Sequence, residues 1–306
     1  MIEDIDLGDL DRYAEPSKLS GKVRAMADLA DDIIATLEQD PSVTGDTLPW
    51  FPTHSRFRLR PGELTLWAGP KGTWKSFVLN HALLDIAVSQ RKRVLICSLE
   101  FPARIVGARI MQQAFGGVTP NAAGVRAFLE STRKTLGIVD AFGRMSPRDA
   151  VALVRWAAIE REVKHVALDN LTKIVSVATD AASEQQSFAN DLQSVALETG
   201  CHVHAAAHTR KPGTAGAKLE ADEIRGSGSI ADQADNVVMF WRNRAKEQAQ
   251  EDGEMTDELR AEPDLILRVA HQRNGRYEGN FKFWKHANSM QFLSDGVSDP
   301  IAYAHN

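Results

Sequence analysis

Two periods organise the apolar residues of this chain. Short continuous runs at 64–68, 93–99, 137–141, 165–168, 201–207 and 236–241 read as buried strands. Between them apolar positions recur three and four apart, which predicts helices from 75 onward and over 102–115, 125–136, 147–162 and 183–199. Ser146 caps the fourth of these, with Pro147 in its first turn. Apolar strands alternating with amphipathic helices predict an α/β fold, a mostly parallel sheet with helices on both faces. Three short strands come later, at 264–270, 279–286 and 290–293, after a charged surface insert at 243–262. HQRNGRYEG joins the first two, and its Asn274-Gly275 pair is a hairpin signal.

Ahead of the first strand the pattern changes. Residues 1–18 are acidic and aperiodic, and Val23, Met26, Leu29, Ile33, Ile34 and Leu37 fall at helical spacing over 22–37. The loop GDTLPWFPTHSRFRLRPGE carries Pro49, Pro52 and Pro61 and an exposed-looking Trp50-Phe51 pair, and reads as a linker. The expected division is an N-terminal acidic segment and linker helix over 1–45, then one core domain over 46–306.

Composition narrows the partners. The 306 residues carry a net charge of −5, so contact with nucleic acid requires a local basic strip. The two cysteines, Cys97 and Cys201, lie inside strand-like runs and read as buried thiols rather than a disulfide or metal pair. No run has the apolar length of a membrane span and the acidic start suits neither signal nor transit peptide, so a soluble, cytoplasmic protein is expected.

The chemistry gathers where strands end. After the run at 64–68 comes Gly69-Pro70-Lys71-Gly72-Thr73-Trp74-Lys75-Ser76, a strand, a glycine loop, Lys-Ser and then a helix. That order suits a phosphate site: loop and helix N–H groups face the anion, Lys75 reaches the β/γ-phosphates of ATP, and the Ser76 hydroxyl takes a position on Mg²⁺. Trp74 stands where the usual pattern has its second glycine. In a parallel sheet, ligands sit at the carboxyl ends of the strands. There the chain places Ser98-Leu99-Glu100, Asp169-Asn170 and His208-Thr209-Arg210-Lys211. Asp169 is placed to hold Mg²⁺. Glu100 is placed to orient and deprotonate a water, and His208 to sense a γ-phosphate as a donor. The stretch 210–222, with Arg210, Lys211 and Lys218, reads as a basic strip for a phosphodiester backbone. Arg273 and Arg276 on the hairpin suggest a charge donated outward, to a neighbour's ATP.

The order LTLWAGPKGTWKS, ICSLEFPARIVGARI, HVALDN, HVHAAAHTRKP, RGSGSIADQADNVVMFWRN and HQRNGRYEGNFKFW resembles the RecA-like motor domain of DnaB-type replicative helicases, closest to the phage and mitochondrial Twinkle branch. The resemblance runs over about 46–294. It implies a homohexameric ring around single-stranded DNA, moving 5′ to 3′ with ATP and Mg²⁺ bound between subunits. By motif, Lys75 and Ser76 match the triphosphate and Mg²⁺ residues, Glu100 the catalytic base, Asp169 the Walker B carboxylate and His208 the γ-phosphate sensor. Arg210 matches a DNA-loop cation, and Arg273 the arginine finger supplied across the interface. The helix at 22–37 resembles the linker helix that packs on the adjacent subunit. His271 stands where these proteins usually carry a lysine. The chain has no room for the fused primase half found in many relatives, so any primase would be a separate chain; the resemblance also suggests a phage-encoded protein working in the host cytoplasm. Two rival readings are a RecA-like recombination or plasmid-replication ATPase, and a degenerate ATPase serving as a DNA-binding or loader subunit.

Overall fold

The structure is a computed structural model that describes residues 13, 25–38, 40, 43–175, 182–209 and 228–306. The expectations for the acidic start, for the first turn of the linker helix and for Arg210, Lys211 and Lys218 lie outside the described residues.

β1 (Leu64–Gly69) is buried at all six positions, as a strand covered on both faces must be. It feeds the glycine loop and α2 (Lys75–Val88). Then come β2 (Val94–Ser98), α3 (Ala103–Ala114), α4 (Ala122–Ser131), β3 (Leu136–Val139) and α5 (Pro147–Arg161). β4 (His165–Asp169), α6 (Ala182–Thr199), β5 (His202–His208), α7 (Gly228–Gln233) and β6 (Asn236–Arg242) follow. The last elements are α8 (Arg244–Asp252), α9 (Asp257–Ala261), β7 (Leu265–Gln272), β8 (Gly279–Lys285) and β9 (Phe292–Leu293).

The nine strands form one sheet in the order β3-β2-β4-β5-β1-β6-β7-β8-β9. Pairing is parallel from β3 to β6 and antiparallel from β6 to β9. Alternation along β1 sends Leu64, Leu66 and Ala68 into one core with Leu153 of α5 and Leu192 of α6. Trp67 faces the other, with Leu83 of α2, Ile110 of α3 and Phe128 of α4. Cys97 and Cys201 are free and buried, as read, and burial pushes both thiols up to about 12. Among the described residues no helix is long and apolar enough to cross a membrane.

A buried polar relay crosses the second core. Trp67 Nε1 donates to His204 Nδ1 (3.1 Å), His204 Nε2 lies 3.1 Å from His165 Nδ1, and His165 Nε2 lies 2.9 Å from Asp46 Oδ2. An indole is only a donor, so the proton must sit on Nε2 of His204 and in turn on Nε2 of His165. His202 stacks beside them, between Thr65 Oγ1 at 2.9 Å and the Arg60 carbonyl at 2.6 Å.

Four local expectations differ from the structure. The helix expected at 125–136 is α4, starting at the Asn121 cap, whose Oδ1 accepts from Gly124 N at 2.8 Å. It ends at Ser131 because Leu136, at helical spacing, belongs to β3. The charged insert folds into α8 and α9, with Lys246 buried and its Nζ 2.9 Å from Asp264. Trp50 is buried against Phe283 and His81, because its indole N–H donates to the Phe292 carbonyl; Phe51 alone is exposed. Asn274-Gly275 makes no two-residue hairpin, since β7 ends at Gln272 and β8 starts at Gly279. Polar anchors hold the loop open: Arg273 N donates to the Asp235 carbonyl (2.7 Å) and Asn274 Nδ2 to Glu63 Oε1 (2.9 Å).

Candidate active site

The glycine loop leaves the carboxyl end of β1 between β5 and β6, and the ends of β2, β4 and β5 lie along the same edge. Gly72 has φ +80°, which glycine adopts without a Cβ penalty. Trp74 has φ 61° and occupies the position before α2 in the left-handed conformation. The conformation the usual glycine allows is thus kept by a tryptophan, at about 1–2 kcal/mol of backbone cost. Arg242 lies 3.8 Å over the indole, and Lys285 Nζ is 5.0 Å from its centre. Arg242 Nη1 also donates to the Gly72 carbonyl (2.6 Å) while its Nε pairs with Glu247. Thr73 is buried, its hydroxyl donating to the Pro70 carbonyl at 2.8 Å, and Lys71 is exposed.

Lys75 is buried, and its ammonium has three partners: the carbonyls of Gly69 (2.8 Å) and Pro70 (3.0 Å) and Nδ1 of His208 (3.1 Å). Burial pulls its pKa down to about 8, against the raising charges of Asp169 and Glu100. Asp169 ends β4, 8% exposed, with a side-chain hydrogen bond to Ser76. Burial raises the pKa of this carboxyl, and the Ser76 bond and the charges of Lys75 and His208 only partly oppose that. Beside it in register, the Ser98 hydroxyl is buried and has no hydrogen-bond partner. Hydroxyl and carboxylate oxygens are the donors Mg²⁺ takes from a protein when phosphates and water complete its shell, so Ser76 and Asp169 fit that ion.

Glu100 accepts from Asn170 Nδ2 (2.8 Å) and faces His208 Nε2 (3.1 Å), both at Oε1. The His208 hydrogen bond is the largest cause that holds Glu100 down at about 2; burial opposes it, and the Asn170 bond and the charges of His208 and Lys75 assist. The structure thus brings Lys75, Ser76, Glu100, Asp169 and His208 together as one hydrogen-bonded group. Asn170 is the member to which the sequence reading assigned no role; its position directly after the β4 carboxylate was the available signal. Both ring nitrogens of His208 are engaged within the group, so contact with a phosphate requires it to exchange a partner.

Arg273 stands apart from this group. Gln272 pairs with Asn236, and Asn236 and Thr65 are partners at the amino end of β1. The guanidinium pairs with Asp235 at 3.0 Å and is 47% exposed. A strand length separates it from the glycine loop, roughly 15–20 Å at 3.3 Å per residue.

Residues 55–214, over half of the chain, match the AAA domain family. The chain belongs to that family. Around its AAA domain the chain is similar to two solved structures. One is a helicase-type ATPase domain, at 15% identity and a TM-score of 0.69, covering 91% of this chain and 99% of that one. The other is a DnaB-like replicative helicase, in a structure concerned with its interactions with primase, at 15% identity and a TM-score of 0.70, covering 89% of this chain and 69% of that one. The AAA domain here therefore has the fold of a DnaB-type helicase motor, antiparallel strands included.

Proposed function

We propose that the chain is the motor of an ATP-driven, ring-forming replicative DNA helicase that moves 5′ to 3′ on single-stranded DNA. The observation that carries this reading is the connected group Lys75, His208, Glu100 and Asn170 on the edge that bears the glycine loop. A fold shared with the ATPase domains of DnaB-like helicases supports the choice among ATPases.

In this reading Gly69 to Ser76 wrap the triphosphate. Lys75 trades a loop carbonyl for a phosphate oxygen, and Ser76 and Asp169 hold Mg²⁺, which supplies charge neutralisation along the phosphates. Glu100, ionised at neutral pH, orients the attacking water and takes its proton. Asn170 and His208 fix the carboxylate so that its second oxygen is available to the water. Arg273, a strand length from the loop of its own chain, serves the site of the next copy. Arg210, Lys211 and Lys218 follow the DNA backbone, and the helix over 22–37 docks on a neighbour. A separate primase is the expected replication partner, as the DnaB-like relative's structure concerns its interactions with primase.

The test is ATP hydrolysis with and without single-stranded DNA, beside Glu100→Gln, together with unwinding of forked duplexes of opposite polarity. The reading expects DNA-stimulated turnover, abolished in the variant, and unwinding only of the fork with a 5′ tail for loading. DNA binding with no turnover would overturn it in favour of a DNA-binding subunit.

A further inference from the structure

The amino end of the sheet carries a second concave site that the group around Lys75 does not use. A pocket of about 580 Å³ is lined by Arg56, Arg58 and Arg60 from the segment before β1 and by Arg273, Arg276 and Tyr277 from the loop after β7. Asp40 is the single carboxylate on its wall. Guanidinium groups stay charged at any pH a protein survives, so five facing one cavity repel one another unless an anion joins them. The chain as a whole is negative, with a net charge of −5, so this concentration is local.

The pocket is also built. Gln272, buried, donates from Nε2 to the Arg56 carbonyl (2.9 Å) and to the Tyr277 carbonyl (2.7 Å), stapling the two arginine-bearing segments together. The Arg56 guanidinium lies 5.4 Å over the Tyr277 ring. Asn274 is held by Glu63 and Arg273 by Asp235, at 2.9 and 3.0 Å. A Cβ on Gly275 would clash with Gln272 Oε1, so the staple also requires glycine in the loop. Arg56, Arg273 and Arg276 are exposed.

We propose that this pocket closes over the phosphate chain of a nucleotide held at the Lys75-Ser76 loop of an adjacent copy, with Arg56 and Arg276 contacting phosphate beside Arg273. The inference rests on the proposed function and adds to it: the segment before β1 becomes part of the neighbour's site. Cations converging on a concave pocket suit a compact polyanion, whereas a phosphodiester strand calls for a strip along a groove.

The test uses the full chain and three proteins: wild type, the Arg56→Gln/Arg276→Gln double variant, and Lys75→Ala. Binding of a non-hydrolysable ATP analogue is read first, because it does not depend on turnover. The expected result is a loss of tenfold or more in affinity for the double variant, and recovery on mixing it with Lys75→Ala, whose pocket is intact but whose own loop is disabled. Unchanged affinity, or a loss that mixing does not repair, overturns the proposal. So does a double variant that binds the analogue normally but loses single-stranded DNA, which would assign the pocket to the phosphodiester. Absent hydrolysis by wild type that still binds the analogue sinks the ATPase reading alone, and the affinity comparison then decides the pocket.

Discussion

His208 accepts at Nδ1 a hydrogen bond from Nζ of Lys75, 3.1 Å away. An ammonium has no lone pair, so the imidazole proton is on Nε2, where it meets Glu100. The ring must therefore accept on one side and donate on the other. A glutamine amide can do both and leucine neither. His208→Gln is expected to keep a measurable fraction of wild-type ATP turnover, while His208→Leu falls with Glu100→Gln, roughly 10²–10⁴-fold below wild type. Equal rates for the two His208 variants would show that the relay is not needed.

The low pKa of Lys75 sets an alkaline limit. The charged form, which attracts phosphate, dominates below about 8 and is lost above it. A plot of kcat/KM for ATP against pH should bend downward near that value. Lys75→Arg, whose side chain stays protonated, should lower the whole curve but remove the bend.

Glu100 predicts the opposite limb. Its carboxyl is held down at about 2, below the ordinary value of 4.5, so it is already ionised wherever the protein is folded. Kinetics between pH 5 and 7 should show no acid limb with the properties of a titrating carboxylate base. As a stability term, the depressed carboxylate helps the fold above the unfolded value and loses that help as pH falls through 4.5 toward 2.

At Trp74 two effects oppose each other. Replacement by glycine removes left-handed strain of about 1–2 kcal/mol but also the stacking of Arg242 and Lys285, about 0.5–1 kcal/mol each. Replacement by alanine removes the stacking and keeps the strain. Urea unfolding should therefore place Trp74→Gly near wild type and Trp74→Ala about 1 kcal/mol below Trp74→Gly.

The buried histidines predict acid sensitivity well above the carboxylate range. Burial holds His81 and His202 near 3 and His204 well below its ordinary value of 6.5. They are neutral when folded and take up protons when unfolded, so stability is intact above 6.5 and falls as pH drops below it. Each such group contributes up to about 1.4 kcal/mol per pH unit. Unfolding free energies at about pH 7.5 and 5.5 should differ in that direction, and His81→Phe should reduce the difference. A gain on acidification would contradict it.

The strands and the carboxyl-edge residues were legible because a strand buried on both faces leaves a continuous apolar run, and a charged or polar side chain at its end stands out chemically. Asp169 and His208 were found this way. The linkage between residues was not legible. Nothing in the order of residues says that His208 lies between Lys75 and Glu100, since their adjacency comes from β1, β4 and β5 pairing side by side. The pocket arginines did leave a trace: in SRFRLR the arginines alternate with Phe57 and Leu59, both fully buried. That alternation predicts an extended segment, but its partner, the loop after β7, lies 216 positions on and is joined to it through Gln272. Asn274-Gly275 misled because its usual tight turn competes here with the anchors at Glu63 and Asp235.

β1 has a mechanical consequence. Its first residue, Leu64, donates to the Asp235 carboxylate that also grips Arg273, and its last, Gly69, offers its carbonyl to Lys75. All six of its residues are buried, with a neighbour strand on either side and no hinge between the ends. Such a rod transmits displacement instead of absorbing it. A pull on the arginine end arrives at the phosphate loop as movement of the loop itself, so the stiffness of one short strand sets how far the two ends of the molecule can act out of step.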